Sequence, residues 1–209
     1  MSEATKKGHK GHVTQELLVE KSAHLFKKQG YQSTTMQDIA EQLNIKKGSI
    51  YYHINSKEDL LYKIGQHSMF LLLEGANKIY RKNLDPQEKL KLMIRYHLEM
   101  ITENIELFTV SLREINKTNA KSFWQEIVDL RRQYENIIRQ VVQEGIDAGV
   151  FKDHDAKLIM LNFLGTVNWL IRWYNPDSRQ NLENIIEVWT DIFLNGITKP
   201  GRREGEAVE

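Results

Sequence analysis

Between Lys46 and His53 the chain reads Lys-Lys-Gly-Ser-Ile-Tyr-Tyr-His, a short stretch crowded with N–H and O–H donors. Lys46, Lys47, Ser49, Tyr52 and His53 suit phosphate oxygens and base edges, with Tyr51 at the flank. Bond-breaking chemistry has no comparable cluster. None of the seven histidines sits in an HExxH arrangement, and no glycine loop that cradles phosphate occurs. Cysteine is absent, which removes disulfides, thiolate–metal sites and thiol nucleophiles together and suits a reducing compartment. Glu99, Glu103 and Glu106 form a row of the kind that faces solvent on a helix, and His9 and His12 could take up metal only adventitiously. The expectation is a binding protein with no catalytic residues, no metal and no cofactor.

Such donors are useful only if one face of a short helix presents them while the other is buried. Thr35 with Asp38 has the capping-box form, in which hydroxyl and carboxylate satisfy each other's free backbone N–H groups. It opens a helix over 36–43 with Met36, Ile39, Ala40 and Leu43 inward. Asn44, Ile45 and Lys46 lead into a second short helix over 47–53, anchored by Ile45 and Ile50. A longer helix over 14–29 precedes them, capped by Thr14 and stopped by Gly30. Two short helices across a three-residue turn, behind a longer one, make a helix-turn-helix arrangement. The plainer reading of that bare pattern is a small helical subdomain with two surface lysines. Through His53 the chain carries eight basic against five acidic side chains, and 21 against 23 beyond it, so the amino end is the positive one.

Ser56 and Asp59 repeat the capping-box pattern before a long helix reaching about Arg81. Asp85 and Pro86 open a helical stretch over 86–117 that breaks near Asn104, and a second covers 119–148, closed by Gly145 and Gly149. Asp153 starts the next, which Pro176 ends, and the last runs over 178–195 to Gly196. Pro86, Pro176 and Pro200 thus all fall at helix edges. With 41% hydrophobic and 27% charged residues over 209 positions and no β-type alternation, the fold class is all-α. Residues 1–13 and 199–209 hold little to bury and read as disordered tails. No apolar run approaches the ~20 residues that span a bilayer, and no leader is evident, so the expected location is the cytoplasm.

The longer string over 25–62, LFKKQGYQSTTMQDIAEQLNIKKGSIYYHINSKEDLLY, resembles the DNA-binding domain of the TetR family of transcriptional regulators. Leu25-Phe26, Gly30-Tyr31, Thr34-Thr35, Asp38-Ile39-Ala40, Lys47 to Tyr51, His53 and Ser56 to Leu61 carry the likeness. The resemblance implies that Thr34 and Thr35 meet the DNA backbone, that Gly48, Ser49 and Tyr51 to His53 face the groove, and that Lys57 reaches a phosphate. Lys46 stands where the family has a small hydroxyl residue, and Ile54 where Phe is common. Lys46 therefore leaves the recognition helix without a side-chain cap and offers a phosphate contact instead.

The resemblance further implies a helix-turn-helix domain over 14–55 and a larger carboxyl-terminal helical bundle over 56–198 that dimerises and holds a small effector. Two short helices about 34 Å apart on a two-fold axis read a palindrome that one cannot. Ile159, Phe163, Thr166, Leu170, Ile185, Trp189, Ile192 and Phe193, with Gly165 and Gly196 permitting close crossing, read either as the interface or as internal core. Asn168 to Pro176 resembles the end of the penultimate helix in TetR-type regulators of acyl-CoA or lipid metabolism. Trp169 and Trp173 offer stacking faces or dimer core, and Arg172 pairs with phosphate or lies on the surface. Phe108, Leu112, Trp124, Tyr134, Asn162, Phe163 and Thr166 complete the candidate effector lining. The function expected is a repressor released by a fatty acyl-CoA or other CoA thioester. The alternatives are an efflux regulator answering lipophilic drugs, an effector-free architectural DNA-binding protein, and a helical enzyme with an incidental helix-turn-helix.

Overall fold

The computed structural model describes residues 14–114, 122–175 and 181–199. The expected tails over 1–13 and 200–209, and the terminations assigned to Pro176 and Pro200, lie outside them. Among the described residues the chain is helical, and no named strand forms. Helix α1 spans Gln15–Gln29, with Thr14 accepting from the Leu17 N–H; Gly30 stops it at φ 90°, a left-handed conformation that costs glycine little. Helix α2 is Met36–Gln42 and carries the full Thr35–Asp38 capping box. Helix α3 is Lys47–Ile50, and α4 is Lys57–Tyr80. At the start of α4 Ser56 caps the Asp59 N–H, but Asp59 reaches back to the Asn55 N–H rather than to that of Ser56.

Asp85 accepts from the Gln87 and Glu88 N–H groups to open α5, Pro86–Glu103. The break falls at Asn104, whose side chain donates to the Met100 carbonyl before α6, Ile105–Glu114, sets off. Helix α7 is Ser122–Asp147. Its end is shaped by Gly149 at φ 71° and by Gly145, where the Phe151 ring occupies the space a Cβ would need. Helix α8, Ala156–Trp169, is capped by Asp155, so the start expected at Asp153 moves two residues on; a 3-10 turn, Leu170–Arg172, follows. Helix α9 is Leu182–Ile197 with Asn181 as its cap; the start expected at 178 lies outside the described residues. Gly196 lies inside its last turn instead of ending it. The Lys152 N–H donates to the Ile197 carbonyl, and Phe151 pairs with Thr198, so a tertiary stitch carries the helix past the glycine. Lys199 joins it through the Val150 carbonyl and is placed, not a tail residue.

Two apolar cores result. One fills the carboxyl-terminal bundle around Leu90, Leu98, Ile138, Val142, Phe151 and Phe163. The other holds Leu18, Phe26, Ile39, Ile50, Ile54 and Leu60, but it is completed by Leu107 and Val110 of α6 and by Trp124 and Ile127 of α7. The amino-terminal helices therefore share their interior with the bundle. Further α1–α6 and α4–α6 links are polar: His24 meets Glu106 at 2.8 Å, and the buried Ser68 and Ser111 hydroxyls meet at 2.8 Å.

Candidate nucleic-acid interface and effector region

Helix α3 is anchored from beneath by Ile50, fully buried, and Ile54, nearly so. Lys46, as its extended N-cap, makes no side-chain cap bond, in line with the sequence. Helix α3 is one turn long, shorter than the expected 47–53. After Ile50 the backbone tightens: the Tyr52 N–H donates to the Ser49 carbonyl and that of His53 to Ile50, three residues apart rather than four. This tighter winding brings Ile54 back under the core. Lys46, Lys47, Gly48, Tyr51 and Tyr52 stay exposed, Tyr52 at 89%, while Ser49 and His53 are half-buried. At that exposure the Tyr52 ring is almost wholly in solvent.

Helix α2 packs directly against α3. Thr35 is exposed, and its hydrogen bonds hold the Asp38 carboxyl below the usual aspartate range. Its neighbour corrects the expectation for the pair. Thr34 is 1% exposed, and its hydroxyl donates to the Gly30 carbonyl at 2.8 Å and accepts from Gln29, so that hydroxyl faces inward. Lys57 is a second correction. Its ammonium donates to the carbonyls of Tyr31 (2.9 Å), Gln32 (3.2 Å) and Thr34 (2.9 Å) and lies 4.5 Å above the Tyr31 ring. An ammonium has three N–H donors. All three go to the turn between α1 and α2, so Lys57 ties α4 to that turn rather than extending to a phosphate. Desolvation there lowers its pKa.

The residues proposed as an effector lining do not form one surface, although Tyr134 and Phe163 flank the same ring, that of His97 on α5. Tyr134 and Phe163 are buried in the bundle core, as is Phe108. Trp124 belongs to the other core, edge-on to Tyr62, because α7 begins under the helix-turn-helix. Leu112 and Asn162 are exposed and Thr166 is half-buried. Trp169 is 58% exposed with the Arg172 guanidinium 5.7 Å from its ring, and Trp173, also exposed, stands edge-on to Trp189. Of the interface candidates, Ile159, Phe163, Leu170, Ile185 and Phe193 are buried within the chain and belong to its own core. Of the candidates Ile192 does face outward, joined by Leu158, Leu161 and Val188, which the sequence had not singled out; all four are exposed, beside an open groove of about 640 Å³ between α8 and α9 that Thr166 and Trp189 also line. A Cβ at Gly165 or Gly196 would meet nothing.

Sequence reading passed over His97. It sits 1% exposed on α5, with Nδ1 2.6 Å from the Tyr134 hydroxyl and Nε2 3.2 Å from Asn168 Oδ1. The signal was present: His97 falls on the apolar stripe Leu90, Met93, Ile94, Leu98, Ile101, where a titratable group is out of place. Burial drives its pKa down to about 4 and pushes the Tyr134 phenol up, so the ring is neutral near neutral pH.

Comparison with known proteins gives two family matches: residues 18–64 match "Bacterial regulatory proteins, tetR family", and residues 83–197 match "Tetracyclin repressor-like, C-terminal domain". The HTH-type transcriptional repressor KstR2 of Mycobacterium tuberculosis is 27% identical over 186 residues, 88% of this chain and 92% of that protein. The fatty acid metabolism regulator protein of Bacillus subtilis is 24% identical over 182 residues, 86% of this chain and 93% of its own length. The crystal structure of the TetR family regulator PfmR from Thermus thermophilus superposes with a TM-score of 0.80 at 30% identity, covering 85% of this chain and 97% of that one.

Proposed function

Since the chain belongs to the TetR family and is a DNA-binding transcriptional repressor, we propose that it grips a palindromic operator as a homodimer and is released by a CoA thioester. A fatty acyl-CoA is the effector that fits the reading, which makes the protein a regulator of fatty-acid degradation. The observation that carries the effector class is the exposed Arg172 guanidinium lying over Trp169 at the end of α8. A planar, permanent cation on an aromatic platform suits a nucleotide's phosphates and its base. A pocket for cationic drugs would present acids there. The name of the Bacillus subtilis relative, a regulator of fatty acid metabolism, supports the same choice.

On the DNA side, Thr35, Lys46, Lys47, Gly48, Ser49, Tyr51, Tyr52 and His53 make up the contact surface in this reading. The second copy of the chain covers the α8–α9 face, where Leu158, Leu161, Val188 and Ile192 otherwise meet water. Release requires only that the thioester favour the arrangement in which the two α3 segments miss successive major grooves. The shared interior of α1, α4, α6 and α7 gives the bundle a direct mechanical hold on the helix-turn-helix.

A mobility-shift assay on the promoter beside the protein's own gene, with and without acyl-CoA, tests this. Specific binding relieved by acyl-CoA is expected, with relief lost in Arg172→Glu and operator binding retained. Relief that persists in the variant removes Arg172 from the site. Relief by lipophilic cations with acyl-CoA inert makes the protein an efflux regulator, and sequence-indifferent binding makes it architectural. Native mass spectrometry of protein purified from a heterologous host identifies any molecule carried along.

A further inference from the structure

Within the carboxyl-terminal core three helices meet at a polar point, His97. Its ring on α5 is held from α7 by Tyr134 and from α8 by Asn168, with Phe163 edge-on at 6.1 Å. A neutral imidazole has one N–H and one lone pair. Asn168 Oδ1 can only accept, so Nε2 carries the hydrogen and Nδ1 takes the Tyr134 O–H. The two bonds differ in kind. The one to Tyr134 is short and joins two groups sealed from water. The one to Asn168 is longer, at 3.2 Å, and its partner is half-buried in the last turn of α8, next to the exposed Trp169 and just before the 3-10 turn.

We infer that the Nε2–H of His97 is the donor that binds the effector's carbonyl, and that Asn168 Oδ1 holds its place in the unliganded protein. The inference rests on the CoA-thioester reading and deepens it. A thioester carbonyl is an uncharged acceptor, as Asn168 Oδ1 is, so exchanging one for the other leaves no buried donor unpaired. Leu98 and Ile101 of α5, Val167 of α8 and Leu170 just after it belong to the same buried apolar core, the kind of surface an acyl chain packs against. Trp169 follows Asn168 directly and Arg172 lies about one turn on, both exposed, where a CoA moiety would emerge. A free fatty acid is rejected by the same geometry, because its carboxylate would bury a full charge against a neutral ring. Displaced from His97, Asn168 no longer fixes the end of α8 to α5. The thioester thereby gains a differential contact between liganded and unliganded states, without which a ligand shifts no equilibrium.

The test pairs each member of a chain-length series of saturated acyl-CoA thioesters with its S-alkyl-CoA thioether, which lacks only the carbonyl oxygen. Calorimetry on the full chain should show wild-type protein preferring the thioester about ten- to hundredfold, the range set by leaving a buried donor unpaired. His97→Phe should abolish that preference. Asn168→Ala, which removes the competing acceptor without touching the core ring, should tighten thioester binding several-fold and keep the preference over the thioether, since both ligands are spared the cost of displacing Asn168; it keeps the test open if His97→Phe fails to fold. A preference that survives in His97→Phe, or an Asn168→Ala variant that binds both partners equally, overturns the inference while leaving the thioester reading in place. Failure of the wild-type protein to bind any thioester overturns both.

Discussion

Lys57 separates two roles that one side chain could play at the start of α4, and Lys57→Met distinguishes them. Methionine keeps the aliphatic stem over Tyr31 and deletes the ammonium, so the carbonyls of Tyr31, Gln32 and Thr34 lose their shared donor. Hydrogen bonds to a charged group contribute about 1.5–3 kcal/mol each in protected sites. Lys57 is half-buried and water replaces part of the loss, so the three together are worth about 2 kcal/mol, or about 4–8 °C in melting temperature for a chain of this length. Lys57→Arg should fall in the same direction, because a planar fork cannot converge three donors on one turn, although it keeps the charge. Melting is followed by circular dichroism, and operator affinity is measured across a salt series. Operator binding weakens in both variants through a loosened α1–α2 turn, and the slope of log affinity against log salt stays at the wild-type value. The reasoning is refuted if Lys57→Met melts like wild type while the slope falls by about one, the signature of a lost phosphate contact.

Lys47→Ala, by contrast, should reduce that slope by about one, and Tyr52→Ala should weaken specific binding with the slope intact; fluorescence anisotropy on a labelled operator checks both. Gly145→Ala places a methyl group inside the Phe151 ring contact, and overpacking of this kind should cost about 1–3 kcal/mol in a denaturant titration. His97 has a folded pKa near 4 against an ordinary 6.5, so between those values the unfolded chain holds a proton that the folded one does not. Stability should therefore fall as pH drops from about 6.5 to about 4, by at most about 1.4 kcal/mol per pH unit, and that portion of the slope should vanish in His97→Phe.

What could be read from the chain was local. Thr14, Thr35, Ser56 and Asp85 each cap the helix expected of them, because a cap needs only residues within one turn. The Asn104 break and the Gly30 stop are of the same kind. What failed was set from a distance. The partners of Lys57 lie 23 to 26 residues away, and its fate was decided by where their carbonyls point. Trp124 reads as a pocket residue only as long as the start of α7 beneath the helix-turn-helix is unknown. Helix α9 passes Gly196 because the Lys152 N–H waits at its end. Half of each apolar stripe on α8 and α9 turns inward, and only the packing of the bundle decides which half. His97 shows the same limit from the other side: its stripe was visible, but its partners on α7 and α8 were not.

The mixed parentage of the amino-terminal core bears on how such regulators can be recombined. Leu107, Val110, Trp124 and Ile127 come from beyond the reading head yet form part of its floor. A fragment ending at Asn55 would leave that floor open to water, and a graft of these first three helices onto a related bundle would inherit someone else's floor. Swapping operator choice between relatives therefore calls for exchanging the outward residues of α3 alone, or for carrying those four side chains along as passengers.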